Sequence, residues 1–287
     1  MAVLLAHGAD PNGNDGDALS TAMAHNSPDT IKLLLAHGAE PNVHVAAGLD
    51  MVDRLRTLLE QEAGLVNAPG DHNRLPMSVA AHYQQRESAE VLIDYGVEIT
   101  LVHASGLGML DRIKTIVEKD PETLNQIEEG SYGNTPLIAA SRNGHTEIVR
   151  YLLEQGADLN LCGGDWNIQA IDTATTADVF RLLLEAGVDA CHVIWGRTPL
   201  MKELKGRDET DEAAVQVLVK YGGLGKFYLV GRWNGHRNKI ERLLELGADV
   251  NETDENGKTA LDHAIARDDA KMITLLEKHG GRRSDGS

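Results

Sequence analysis

The stretch GNTPLIAASRNGHTEIVRYLLEQGADLN, from Gly133 to Asn160, decides the fold of this chain. Between His145 and Gly156 the apolar residues recur at the i, i+3, i+4 spacing of an amphipathic helix. A shorter helix is predicted ahead of it, because Thr135 is a favourable N-cap and Pro136 suits the first helical turn. Gly156 predicts a left-handed cap at the end of the second helix. The stretch therefore predicts a turn, a short helix, a second helix and a loop.

Partial copies of this unit fill the rest of the chain. The element Leu-Leu-x-x-Gly-Ala-Asp, or a close variant, recurs with its glycine at Gly8, Gly38, Gly156, Gly187 and Gly247. Gly8 and Gly38 are 30 residues apart, and Gly156 and Gly187 are 31 residues apart. Gly187 and Gly247 are 60 residues apart, which is close to two periods. A period of about 33 residues is typical of ankyrin arrays. On these motifs the chain resembles the ankyrin repeat family, most specifically between Gly133 and Asn160.

The resemblance implies an all-α ankyrin-repeat solenoid. We expect one solenoid over residues 1–281, with about nine repeats after an N-terminal partial repeat, and a disordered polar tail at 282–287. The repeats are expected to begin near residues 13, 43, 70, 101, 131, 161, 191, 224 and 252. Because the sequence begins inside a repeat, either its first helix is a minimal cap or the chain is one segment of a larger scaffold.

Three repeats depart from the family in the same way. An ankyrin repeat carries a projecting β-turn loop, the finger, ahead of its first helix. Only three residues separate Asn42 from Ala46, and three separate Thr100 from Ala104, so these two repeats are predicted to lack fingers. The third case is the segment after Tyr221. The finger-lacking repeats are expected to leave gaps on the concave face.

Charge narrows the range of partners. The chain has 27 Lys and Arg against 44 Asp and Glu, a net charge of −17. Nucleic-acid binding needs basic surface that displaces counterions from phosphates, so a nucleic-acid partner is not expected. The acidic excess would steer a basic protein or peptide toward the chain.

Cellular setting follows from segments that the sequence lacks. Two cysteines, Cys162 and Cys191, cannot build a disulfide framework, and no apolar run is long enough to span a bilayer. The first residues have neither the basic start nor the cleavage site of a signal peptide. We therefore expect a cytoplasmic monomer with no membrane partner.

The sequence carries few signs of catalysis or of cofactor and metal binding. The sequence contains no dinucleotide fingerprint, P-loop, zinc-protease, nucleophile-elbow or EF-hand motif, so no catalytic residue, cofactor or metal site is predicted. Most of the 12 histidines fit structural positions. His145, for example, fills the Gly-His position of the family, where the imidazole is expected to bond to the backbone of a neighbouring finger.

Aromatic residues supply the candidate binding site. They make up 4% of the chain, yet all three tryptophans lie between residues 166 and 233, in or beside successive predicted fingers. Exposed Trp and Tyr dominate the energetics of protein interfaces. The predicted binding residues are Tyr132, Trp166, Trp195, Arg197, Phe227, Tyr228 and Trp233. The alternative interpretation is that these rings pack against one another and stiffen the fingers.

Two functions remain open at this stage. The first is a non-catalytic protein-binding scaffold that uses the concave face of fingers and first helices. The second is a small-molecule or enzymatic pocket, enclosed by the aromatic patch beside the missing fingers.

Overall fold

The computed structural model describes residues 5–13, 17–70, 73–128, 134–163, 167–192, 194, 198–204, 211–222, 237–254 and 256–285. The chain divides into two compact units, Met1–Thr173 and Ala174–Ser287. Across the described ranges the regular structure is helical, and strand-like pairing occurs only as isolated bridges, among them the antiparallel bridges Gly163–Ile168 and Thr253–Thr259. The prediction of an all-α fold is confirmed.

The first unit is a series of helix pairs. In each pair the first helix packs on the second, and each first helix also packs on the first helix of the next pair. The pairs are Asp17–Ala24 with Pro28–Ala36, Val43–Gly48 with Val52–Gln61, Pro76–His82 with Arg86–Asp94, Leu101–Gly106 with Leu110–Lys119, and Pro136–Arg142 with Thr146–Glu154. The short helix Ala170–Thr173 packs on the last first helix.

The second unit has the same construction over its described residues. Its helices are Ala177–Glu185, Pro199–Glu203, Glu212–Lys220, Arg237–Glu245, Ala260–Ala266 and Ala270–Lys278. The pair Pro199–Glu203 and Glu212–Lys220 and the pair Ala260–Ala266 and Ala270–Lys278 each pack together.

The local signals in the sequence explain where these helices begin and what they bury. The hydroxyl of Thr135 accepts a hydrogen bond from the backbone N–H of Ile138 at 3.1 Å, so it caps the helix as predicted. Leu55, Ile113 and Leu152, on three of the second helices, are fully buried. Burial of each such side chain stabilises the fold by roughly 1.5–3 kcal/mol.

Asparagines link successive repeats. The side chain of Asn12 donates from Nδ2 to the carbonyl of Gly38 at 3.0 Å and accepts from the N–H of Glu40 at 2.7 Å. Oδ1 of Asn125 accepts from the N–H of Asp158 at 2.9 Å. Each asparagine therefore satisfies backbone groups in the closing loop of the following repeat.

The two finger-lacking repeats in the first unit are confirmed. Helix Val43–Gly48 begins directly after Asn42, whose side chain accepts from the N–H of Val45. Helix Leu101–Gly106 begins directly after Thr100, which forms a capping box with His103. The third predicted case, after Tyr221, falls largely on residues 223–236, outside the described residues.

The segment after Gly281 hydrogen-bonds to the last repeat. Nδ2 of Asn251 donates to the carbonyl of Gly280 at 3.1 Å, and Oδ1 of Asn251 accepts from the N–H of Arg282 at 2.7 Å, which repeats the pattern of Asn12. The N–H of Ser284 donates to Oδ2 of Asp262 at 3.0 Å. The segment that the sequence predicts to be disordered is thus hydrogen-bonded as far as residue 284.

Candidate functional site

The predicted aromatic site falls outside the described residues. This holds for all seven of its members: Tyr132, Trp166, Trp195, Arg197, Phe227, Tyr228 and Trp233. The described residues on either side of Trp166 belong to a finger, because Gly163 and Ile168 form an antiparallel bridge in which the N–H of Gly163 donates to the carbonyl of Ile168 at 2.8 Å. The aromatic patch therefore stays a prediction.

Two carboxylates that lie between the predicted aromatic residues in sequence, Asp172 and Glu203, have structural positions. Asp172 is buried, and its Oδ2 accepts from the N–H of Gln169 at 2.8 Å, three residues earlier. Asp172 therefore caps the start of its own short helix. Glu203 is buried at the end of helix Pro199–Glu203.

The described residues contain a small cleft at the second finger-lacking repeat. It lies among the first helices of three successive repeats, Pro76–His82, Leu101–Gly106 and Pro136–Arg142. The residues that line it are Ser78, Ala81, His82, Val102, Gly106, Glu128, Asn134, Ala139, Arg142 and Asn143. Its volume of about 20 Å³ is room for about one water molecule. A cleft this size cannot enclose a drug-sized ligand.

The gaps expected beside the finger-lacking repeats are narrower than the sequence suggested. Beside His44 the space is occupied by the loop of the next repeat, because Nε2 of His44 lies 2.9 Å from the carbonyl oxygen of Ala68. A Cβ added at Gly70 would lie 2.7 Å from the same ring nitrogen, so the approach requires glycine. Beside His103 the space is occupied by the side chain of Glu128.

Ser78 and Glu128 line one side of the cleft and form a partly buried polar cluster with His103, whose own side chain is buried. Oε1 of Glu128 accepts from the Ser78 hydroxyl at 2.6 Å and lies 2.6 Å from Nε2 of His103. Oγ of Ser78 lies 3.1 Å from the same Nε2. The other ring nitrogen, Nδ1 of His103, accepts from the N–H of Thr100 at 3.4 Å. The cluster joins the first helices of two successive repeats to the loop that leads into the third.

This geometry does not activate the serine. In a catalytic triad the acid holds one imidazole nitrogen while the serine donates to the other. Here the carboxylate and the serine meet at the same nitrogen of His103, and the hydroxyl of Ser78 donates to the carboxylate. The cluster therefore fixes the position of the Glu128 loop and is not a nucleophile–base pair.

Glu128 remains ionised in this setting. Burial by itself would raise the pKa of its carboxyl, but the hydrogen bond and charge of His103 and the hydrogen bond from Ser78 outweigh burial and hold that pKa below its ordinary value. The carboxylate is stabilised because its charge is hydrogen-bonded inside the fold.

The cleft is also lined by the side chains of His82 and Arg142. Burial, followed by the positive charges of Arg142 and Arg74, lowers the pKa of His82 to about 4, so its imidazole is neutral near neutral pH. Burial also lowers the pKa of Arg142. The guanidinium of Arg142 donates from an Nη atom to Oδ1 of Asn134 at 2.8 Å, which fixes its direction.

Sequence reasoning did not single out these cleft residues. Glu128 and Arg142 belong to different parts of the repeat, and neither forms a motif with a residue nearby in sequence. The missing finger before Leu101 is a sequence signal that could have located the cleft, because a neighbouring loop covers the first helix when its own finger is missing.

The hydrogen-bond partner of His145 differs from the predicted one. Its Nε2 lies 3.0 Å from the carbonyl oxygen of Gly106, at the C-terminal end of the preceding first helix, and not at a finger. The side chain of Asn143 reaches the same carbonyl from Nδ2 at 2.7 Å. Both side chains satisfy a helix end that has no further turn to bond to. Within the described residues, no group of three His, Cys, Asp or Glu side chains is placed to hold a metal ion.

Comparison with known proteins identifies the family that has this architecture. The family model described as ankyrin repeats (3 copies) matches residues 101–192, and the model described as ankyrin repeats (many copies) matches residues 232–277. The chain belongs to the ankyrin repeat family. The matched segments include two of the three first helices that line the cleft, and three of the seven residues of the predicted aromatic patch, namely Tyr132, Trp166 and Trp233.

Individual relatives agree with this assignment. The ankyrin repeat protein FPV018 of fowlpox virus is 23% identical over 263 residues, which are 80% of this chain and 36% of the viral protein. This chain thus spans about a third of that relative's length. Among curated relatives, an ankyrin repeat protein of Neurospora crassa is 31% identical over 151 residues, 49% of this chain and 14% of its own length.

Among solved structures, the human ASB11 ankyrin repeat domain is similar with a TM-score of 0.39 and 21% identity, covering 71% of this chain and 97% of that one. In the described part of the chain, no helix of this ankyrin repeat protein has the length and apolar character needed to cross a membrane.

Proposed function

We propose that this ankyrin repeat chain is a non-catalytic scaffold that binds a protein or peptide on the concave face of its fingers and first helices. The observation that supports the proposal is the row of first helices in the first unit, each packed on the next, together with the antiparallel bridges Gly163–Ile168 and Thr253–Thr259 at two of the predicted finger positions. Stacked repeats of this kind form the extended surfaces on which repeat proteins bind partners. Ankyrin repeats are in general protein-interaction modules.

We propose further that the aromatic patch supplies the main contacts. Trp166 and Trp195 fall in successive fingers of the sequence pattern, where a large ring has no core to fill. The chain's charge of −17 favours basic groups on the partner as a whole. A cytoplasmic monomer is the setting that we propose for this interaction.

A peptide selection tests the proposal. The intact chain is immobilised and challenged with random 12-residue peptides displayed on phage, and the affinity of each enriched peptide is measured by calorimetry. We expect Trp166→Ala and Trp195→Ala to keep the wild-type melting temperature but weaken binding about tenfold or more, as hot-spot residues do. Tyr95→Ala, at the C-terminal end of the second helix Arg86–Asp94, is the matched aromatic control and should bind normally.

Two results would count against this proposal. If no peptide is enriched, the scaffold function itself fails. If the Trp variants unfold or bind like the wild type, the rings are structural and the contacts lie elsewhere.

A further inference from the structure

One finger of the first unit has its base closed by a backbone hydrogen bond. The N–H of Glu128 donates to the carbonyl of Asn134 at 2.9 Å. Gly163 and Ile168 close the base of the next finger in the same way, at 2.8 Å. Residues 128 and 134 are therefore the two ends of a finger, named here finger 128–134, in which the sequence pattern places Tyr132.

Both ends of finger 128–134 are held by side chains of first helices. Oε1 of Glu128 accepts from the hydroxyl of Ser78 at 2.6 Å and lies 2.6 Å from Nε2 of His103, and these two residues belong to the first helices of the two preceding repeats. Oδ1 of Asn134 accepts from an Nη atom of Arg142, on the first helix that follows, at 2.8 Å. Side chains of three first helices thus fix the base of this finger.

The other finger-lacking repeat of the first unit holds the next finger in a similar way. Nε2 of His44 lies 2.9 Å from the carbonyl oxygen of Ala68, just before Gly70, whose N–H donates to the carbonyl of Arg74 at 2.8 Å. In each case a histidine on the first helix of a finger-lacking repeat, His44 or His103, contacts the chain that enters the following finger. The arrangement therefore occurs twice in the first unit.

The contact between His103 and Glu128 is too buried to be part of a partner's footprint. The side chain of His103 is 6% exposed and that of Glu128 is 15% exposed. Ordering a loop during binding costs conformational entropy, so a finger that is fixed in advance loses less on binding. Any effect of this contact on affinity must then be transmitted through the finger.

Building on the proposed scaffold function, on which this inference rests, we propose that Glu128 and His103 are positioning residues for partner binding. Their contact orders the base of finger 128–134 before the peptide arrives, and the finger offers Tyr132 as the contact. The peptide touches Tyr132 and does not touch Glu128 or His103.

The phage-selected 12-residue peptides are the probe, and calorimetry well below the melting temperature gives Kd. Glu128→Ala removes the anchor and should raise Kd about fivefold or more. Glu128→Gln keeps a side-chain oxygen that accepts from Ser78 and from Nε2 of His103, so its Kd should return to within about twofold of the wild type. Glu122→Ala, at an exposed position shortly before Glu128, is the matched control and should leave Kd unchanged.

A double-mutant cycle separates positioning from a general loss of stability. Tyr132→Ala removes the ring through which the anchor is proposed to act, so in that background Glu128→Ala should raise Kd by less than about twofold. Trp166 belongs to a different predicted finger, and in the Trp166→Ala background Glu128→Ala should keep its full effect. A merely structural role would give the same loss in both backgrounds.

Amide hydrogen exchange at residue 128 follows the base of the finger directly. In the free chain its N–H should exchange about fivefold faster or more in Glu128→Ala than in Glu128→Gln, because the anchor no longer holds the base closed. Ser78→Ala serves if Glu128→Ala lowers the melting temperature. It removes one of the two contacts of Oε1, so both the exchange rate and Kd should rise by a smaller factor.

The outcomes separate the two proposals. A wild-type Kd for Glu128→Ala, a Kd that does not respond to Tyr132→Ala, or equal losses in the two Trp and Tyr backgrounds would overturn the positioning role and leave the scaffold function standing. The absence of any enriched peptide overturns the scaffold function, and the positioning role with it.

Discussion

Asp50 and Gly108 stand 58 residues apart, at matching places in the two finger-lacking repeats of the first unit. Both have a left-handed backbone, with φ of 54° and 75°. Oδ1 of Asp50 accepts from the N–H and the hydroxyl of Ser88 at 2.9 and 2.8 Å, which caps the second helix of the next repeat. Gly108 instead leaves room for the ring of His145. Two different residues thus join a turn to the helix that follows.

Replacing Asp50 tests the first of these junctions. Asp50→Ala removes both acceptor contacts and places an alanine at positive φ, so we expect a loss of about 1–2 kcal/mol in the free energy of unfolding. Asp50→Asn keeps an acceptor oxygen and a side chain that tolerates this backbone, and should lose less than half as much. Urea unfolding followed by circular dichroism measures both. Equal losses would show that the cap adds nothing.

Replacing Gly108 tests the second junction. A Cβ at Gly108 would lie 2.9 Å from Cε1 of His145, whereas a Cβ at Gly156, whose φ is 90°, would meet no heavy atom of the described residues within 4 Å. Gly156→Ala should therefore cost about 1 kcal/mol from backbone strain alone. Gly108→Ala should cost roughly a further 1 kcal/mol or more, because the imidazole must move. Thermal unfolding of the two variants side by side distinguishes strain from crowding, and a Gly108→Ala loss no larger than that of Gly156→Ala would contradict the contact.

At the scale of elements, the presence of a finger correlates with the length of one acidic side chain in the closing loop. Aspartate stands before a finger, and glutamate, which is one methylene group longer, stands at two junctions where a finger is missing. Where a finger follows, the closing loop carries an aspartate whose Oδ1 accepts from the N–H two residues on, as in Asp158, Asp189 and Asp249 at 2.8–2.9 Å. At the two finger-lacking junctions of the first unit the residue is glutamate, Glu40 or Glu98. The longer side chain does not close this turn as well, and the chain enters the next helix directly.

Exchanging these acids tests that relation. Asp158→Glu should lengthen the side chain beyond the reach of the Asn160 N–H and destabilise the repeat by about 0.5–1.5 kcal/mol. Glu40→Asp is the matched control at an exposed position, and it should change stability by less than about 0.5 kcal/mol. Denaturant midpoints provide the measurement. A neutral Asp158→Glu would mean that the turn is set by the neighbouring repeats.

At the scale of the whole molecule, hydrogen-bonded carboxylates make the free energy of unfolding depend on pH. Glu128 in the first unit has a lowered pKa, and so does Asp262 in the second, where bonds from Thr259 and Ser284 outweigh the effect of burial. A carboxyl with a lower pKa in the folded state binds fewer protons than it does when unfolded. Its stabilisation is therefore complete above the ordinary pKa and is lost as pH falls through the folded one.

Acid unfolding tests this linkage. Glu128 has an ordinary pKa of 4.5, so the wild type should lose stability below about pH 4.5. Glu128→Gln has no charge to titrate, and its stability should fall less between about pH 6 and pH 3. Glu122→Gln, at an exposed position, should follow the wild-type profile. Identical profiles for Glu128→Gln and the wild type would show that the buried cluster does not contribute.

The sequence by itself determined the repeat, its helices and the finger-lacking junctions at Asn42 and Thr100. These features depend on local signals, namely periodic apolar residues, N-caps and left-handed glycines, whose effects reach only a few residues along the chain. The aromatic patch was also found by sequence, but it stays a prediction because its residues lie outside the described ranges.

Only the tertiary structure decided how the finger-lacking repeat is completed. The cluster of Ser78, His103 and Glu128 brings together residues 25 and 50 positions apart, and Arg142 reaches the same cleft from the following repeat. Such distant pairs share no local pattern, since their contact depends on how one repeat stacks on the next. Stacking also fixes which ionisable groups are buried, and therefore which pKa values are shifted, as for His82 and Glu128.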